Sequence, residues 1–150
     1  MNKIALTYTI DDSGNRQRTI EPQILVDGLP FHPDYTVDIF EAAASCRKEG
    51  EFFIFTCGCG VPGCAGIYQG VQVRHSDELI YWKVPNPLDQ NQQSESVERN
   101  VGGEFVFSKK QYAEAVSEGL EEIKESLRKE KSLDIDPAVA YRGTVLKLNI

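Results

Sequence analysis

Apolar side chains recur along this chain with two different periods, and that change of period constrains the fold most. Ile4, Leu6, Tyr8 and Ile10 alternate with polar or small residues, the period of a strand with one face buried. Tyr112, Val116, Leu120, Ile123 and Leu127 recur at spacings of three and four, the period of an amphipathic helix. Ser108-Lys-Lys-Gln111 precedes this stripe as a capping box, so a helix is expected over about 109–129. Its opposite face is rich in Glu and Lys and reads as a solvated surface. A chain of 150 residues carrying both patterns, with 41% hydrophobic residues, is expected to fold as one α+β domain.

The remaining segments are read in the same way. Asp11-Asp-Ser-Gly-Asn15 is a turn signal, and Ile20, Ile24 and Val26 follow in an extended segment. Together they predict an N-terminal hairpin, with Pro22 at an edge or a break. A helix is expected over 36–48, capped by Asp34 or Thr36, with Val37, Phe40 and Ala44 on one face and Gly50 as its stop. Phe52, Phe53, Ile54 and Phe55 form a continuous apolar run and predict a strand over 51–57 buried on both faces. Strands over 67–75 and 79–84, joined at Ser76-Asp77, would complete a central meander. Trp82 shares its side with Ile80 and Val84 and is assigned to the core, with Tyr81 on the other side. Residues 85–103 are polar and read as a mobile loop, unusually long for a connection in a small domain. Thr144, Leu146, Leu148 and Ile150 alternate and predict a C-terminal strand. The expected architecture is a mainly antiparallel sheet, hairpin plus meander, packed by two helices.

The residues with the most chemistry are Cys57, Cys59 and Cys64, in the run Cys-Gly-Cys-Gly-Val-Pro-Gly-Cys. Cys57 and Cys59 are two apart and point the same way on an extended segment. Val61-Pro-Gly-Cys64 fits a type II turn that would fold Cys64 back towards Cys59. Three readings stand side by side: a metal site, a redox or nucleophilic thiol, and a close-packed corner of small residues. Zinc takes four ligands, so a fourth is needed. His75 would lie at the far end of its strand, about 26 Å away at ~3.3 Å per residue. Cys46 would sit at the wrong end of the preceding helix. That leaves His32, or a carboxylate such as Asp34, as the expected fourth ligand, with a helix start aimed at the thiols. Nucleophilic catalysis would need a base beside a thiol, and only His32 is expected near.

Composition bounds the function from the other side. The net charge of -7 argues against general affinity for nucleic acid. No apolar run approaches the ~20 residues needed to span a bilayer, and the first residues lack a signal-peptide pattern. A cytoplasmic protein with reduced or metal-bound cysteines is expected. There is no phosphate-binding glycine loop and no Ser/His/Asp constellation. The leading expectation is therefore a non-enzymatic protein that binds another protein, such as an immunity-type inhibitor covering a basic toxin. A structural or sensory zinc module on Cys57, Cys59, Cys64 and His32 is the alternative, and a thiol redox protein the third.

The segment Phe55-Thr-Cys-Gly-Cys-Gly-Val-Pro-Gly-Cys-Ala-Gly66, with Gly70-Val71, Tyr81-Trp82 and Phe105-Val-Phe-Ser, resembles a group of bacterial proteins sharing a Thr-Cys-x-Cys-Gly-x-x-Gly-Cys-x-Gly corner. The resemblance implies a bacterial origin and carries over no catalytic residue.

Overall fold

A computed structural model describes residues 1–12, 18–85, 98–137 and 142–150. The expected turn at Asp11–Asn15 and most of the expected loop at 85–103 lie largely outside those residues.

The expected hairpin is present. Strand β1 (Ile4–Asp11) pairs antiparallel with β2 (Thr19–Val26) over their whole length. Ile4 and Leu6 face the core, whereas Ile10 is exposed although its partner Ile20 is fully buried. Strand β2 is unbroken at Pro22, which takes a core-facing place in the alternation Ile20, Pro22, Ile24, Val26. A further short strand, Asp134–Ile135, joins β2 in parallel but reaches only Thr19 and Ile20. Pro22 therefore meets no second ladder, and its carbonyl accepts the Thr36 hydroxyl at 3.4 Å.

The region 34–57 departs from expectation. Thr36–Val37 is a strand, β3, and not the first turn of a helix. The helix, α1, is Ile39–Ser45, capped by Asp38, whose Oδ1 accepts from the Phe40 and Glu41 N–H groups at 2.9 and 3.3 Å. Gly50 does not stop this helix; it opens strand β4 (Gly50–Phe52). The apolar run 51–57 is also divided. Strand β4 pairs with the next strand of the meander, while β5 (Phe55–Thr56) pairs with β3. The apolar part of the run, Phe52 to Phe55, stays largely covered as it leaves one sheet and enters another.

Strand β6 (Val71–His75) starts four residues later than expected, and β7 (Leu79–Val84) matches its expected bounds. Strand β8 (Gly103–Ser108), which the sequence reading did not assign, extends the meander to the order β4-β6-β7-β8. Helix α2 (Lys109–Lys129) follows directly, capped by Ser108, and buries Tyr112, Val116, Leu120, Ile123 and Leu127 as the spacing predicts. The expected C-terminal strand is instead a helix, α3 (Arg142–Leu146). Its buried residue is Val145, out of phase with the apparent alternation. The Arg142 guanidinium explains the docking of this segment: it donates to the carbonyls of Leu127, Glu130, Lys131 and Leu133 at the end of α2, where acceptors are left open and a cation is favoured.

The core is closed by one hydrogen-bonded chain. Trp82 Nε1 on β7 donates to the Tyr112 hydroxyl on α2 at 3.1 Å. The Tyr112 and Ser45 hydroxyls stand 2.7 Å apart, and the Ser45 hydroxyl donates to the Ala42 carbonyl at 2.6 Å. Tyr112 is fully buried, and burial drives its ionisation far above the usual range. The rings of Trp82, Phe107 and Tyr112 meet edge to face at 5.1–5.9 Å. Replacing Tyr112 by Phe leaves the Trp82 N–H buried without an acceptor. Tyr112→Phe is expected to lower the unfolding free energy by about 1–3 kcal/mol in denaturant melts; an unchanged midpoint contradicts this account.

Helix α2 crosses β1 at Gly119 with no space for a side chain. A Cβ there would lie 2.4 Å from the Leu6 carbonyl oxygen and 2.6 Å from the Leu6 Cβ. In an open helix Gly→Ala adds about 0.5–1 kcal/mol of stability. Here the obstruction is backbone, so Gly119→Ala is expected to destabilise by roughly 2 kcal/mol, read by thermal unfolding.

Candidate metal centre

The site is built by the exit of β5. Strand β3 fixes β5 through Thr36–Thr56 and Val37–Phe55 pairing, and the Asp38 N–H donates to the Ile54 carbonyl at 2.9 Å. Helix α1 therefore begins beside the strand that leads to Cys57. After Cys57 the chain turns tightly, with the Gly60 N–H on the Cys57 carbonyl at 2.8 Å. Residues Pro62–Ala65 then form a single 3-10 turn. The expected turn at Val61–Cys64 is thus made, closed by the Cys64 N–H on the Val61 carbonyl at 3.1 Å, but it is not type II. The left-handed positions fall at Gly60 and Gly66, with φ of 85° and 78°, and not at Gly63.

These turns bring three thiols together. The Sγ atoms of Cys57, Cys59 and Cys64 all lie within 4.8 Å of one another, an arrangement that can hold a metal ion. Cys59 Sγ and Cys64 Sγ are 3.4 Å apart. Three sulfurs at Zn–S bonds of about 2.3 Å around a tetrahedral ion would be ~3.8 Å apart, and separations of no more than 4.8 Å are compatible with that arrangement. Cys57 is half-buried, and Cys59 and Cys64 are exposed. The Val61 N–H, then the Cys64 and Cys57 thiols, hold the Cys59 thiol below the usual range. The Cys64 thiol is pushed up by its hydrogen bond with Cys59 and by the negative charge beside which it would ionise. Of this pair, Cys59 therefore gives up its proton before Cys64.

His32 is not brought into this group. Among the described residues the cluster contains three cysteines and no histidine or carboxylate. The His32 ring is buried, stacks on Tyr35 at a centroid separation of 5.1 Å, and its Nδ1 accepts the Asp34 N–H at 3.0 Å. It serves the turn before β3, and Asp34 is turned to it and not to the sulfurs. His75 and Cys46 also lie apart from the cluster. His75 Nε2 meets the Ser45 carbonyl at 2.9 Å, and the Cys46 thiol points to the Ala42 carbonyl, where burial pushes it up to about 12.

Residues without a sequence signal surround the loop. Asp136 Oδ2 lies 3.4 Å from where a Cβ on Gly58 would stand, which places a carboxylate against the loop backbone. Burial, then the charges of Asp134 and Asp11, raise the Asp136 carboxyl above the usual range. Phe53, Ile67 and Tyr68 wall an apolar cavity of about 140 Å³. They also border an open hollow that includes Asp38, Glu41 and Thr56. The Thr56 hydroxyl there is buried with no hydrogen-bond partner among the described residues. These groups come from four separate segments, so no local motif could have announced them.

The two thiol environments give a direct test of the loop. Iodoacetamide at pH 8 is expected to modify Cys59 at least ~10-fold faster than Cys46, read by mass mapping at short times; equal rates would contradict the geometry. Among the described residues no helix is long and apolar enough to cross a membrane. No protein-family model, curated protein or solved structure matches this chain.

Proposed function

We propose that this protein binds zinc through the thiolates of Cys57, Cys59 and Cys64, with the fourth position of the ion open to water or to a donor on another molecule. One observation carries the reading: three Sγ atoms within 4.8 Å of one another on a loop of tight turns. Packing alone gives the exposed thiols of Cys59 and Cys64 no reason to converge, since neither is buried by doing so. Sulfur donors select zinc and other thiophilic ions over magnesium or calcium.

An open position is typical of catalytic zinc, but the donor set argues for binding and not catalysis. Three thiolates outweigh the charge of a divalent ion and weaken its power to polarise a bound water. The described cluster also holds no histidine or carboxylate to act as a base. An ion held by three protein ligands at the surface exchanges readily, which suits zinc sensing or transfer. The fourth donor can come from a protein partner, consistent with an acidic, non-enzymatic binding protein. Val61 and Tyr68, 55% and 69% exposed beside the loop, offer such a partner apolar contact.

Reduced protein prepared without chelators is expected to carry about one zinc per chain by elemental analysis, and Cys57→Ser to carry far less. Zinc below about a tenth of an equivalent, after incubation with zinc and gel filtration, would overturn the proposal.

A further inference from the structure

Two of the three sulfurs are already in contact. Cys59 Sγ and Cys64 Sγ stand 3.4 Å apart, and both residues are exposed. A disulfide needs about 2.05 Å, so the sulfurs must close by only about 1.4 Å. Four residues, 60–63, separate them, and the 3-10 turn Pro62–Ala65 is held by the Cys64 N–H on the Val61 carbonyl and lies outside the strands. Cys57 differs: it is half-buried and follows directly on β5. The corner therefore contains an accessible pair in contact and a third, half-buried thiol within 4.8 Å of both.

We propose that Cys59 and Cys64 are a peroxide-oxidised pair, whose disulfide excludes the metal ion. The exclusion rests on the zinc reading above; the pairing rests only on the contact between the two sulfurs. The oxidant is a hydroperoxide. One thiolate of the pair attacks the peroxide oxygen, an S–O bond forms, the O–O bond breaks, and the leaving oxygen departs as an alcohol or water after taking a proton. The second thiol then attacks the sulfenic sulfur: the S–S bond forms, the S–O bond breaks, and the hydroxide leaves as water with the thiol proton. The two sulfurs lose two electrons in all, and the peroxide gains them. Two of the three ligands are then consumed, and Cys57 alone cannot retain the ion. A dithiol reductant reverses the bond and restores the site.

The test uses the full chain, reduced and zinc-loaded, with hydrogen peroxide as the probe. Equimolar peroxide is expected to release zinc to a chromophoric chelator and to produce a Cys59–Cys64 linked peptide that dithiothreitol removes. Cys57→Ser is expected to retain the linked peptide although it holds little zinc. Cys64→Ser is expected to lose it and to leave a Cys59 sulfenic acid trapped by dimedone. Zinc-loaded protein that yields no Cys59–Cys64 link, or a link as frequent between other cysteines, overturns the pairing and leaves the zinc reading intact. Reduced protein that never holds zinc but forms the link overturns the exclusion together with the zinc reading.

Discussion

The Tyr112 hydroxyl is the constraint on which the rest of the structure depends. It is buried at the junction of three elements and must be satisfied there, since a lost hydrogen bond at such a depth costs on the order of 1–3 kcal/mol. It accepts from Trp82 on β7 and meets Ser45 on α1, so the meander, the long helix and the short helix are fixed by one group. Donors and acceptors run in one direction, from indole N–H to phenol to serine to the Ala42 carbonyl. The start of α1 is then set against Ile54, and β3 holds β5 beside it. The cysteine loop hangs from the end of β5. Its position therefore follows from a hydrogen-bond chain in the core, although its own residues are mostly at the surface.

The loop itself uses small residues for a purpose. Gly60 and Gly66 take left-handed conformations that return the chain, and the Pro62–Ala65 turn brings Cys64 against Cys59. The result is a set of three donors with one side open. Asp136 lies against the loop backbone at Gly58, and the negative charge of three thiolates gathered in one loop would be relieved by a cation. That balance favours an ion over three free thiolates, and the exposure of two sulfurs permits both exchange and oxidation.

Elements whose signal is local were legible in the sequence. Helix α2 shows its buried apolar stripe in its spacing, though not the buried Gly119 and Lys124, and Ser108 caps it while the Gln111 side chain turns to Ile4. The hairpin and β7 were equally plain, and Trp82 is in the core. What failed depends on partners distant in sequence. Thr36 and Val37 can begin a helix by propensity, and only Phe55 and Thr56 across the ladder make them a strand. The run 51–57 gives no sign that it changes sheets after Phe52. The C-terminal segment alternates, yet the Arg142 bonds to the end of α2 decide its conformation. The three cysteines were legible as a group because they share one loop. His32 was assigned to them on the premise of a helix starting at residue 36, and that premise falls with the strand at 36–37. Asp136 was invisible, because pairing of Asp134–Ile135 with β2 is what delivers it.

X-ray absorption at the zinc edge of the loaded, reduced protein tests the central claim most directly. The account predicts three sulfur neighbours at about 2.3 Å and one nitrogen or oxygen neighbour at about 2.0–2.2 Å. A shell made only of nitrogen and oxygen would contradict it, because zinc would then be held away from Cys57, Cys59 and Cys64.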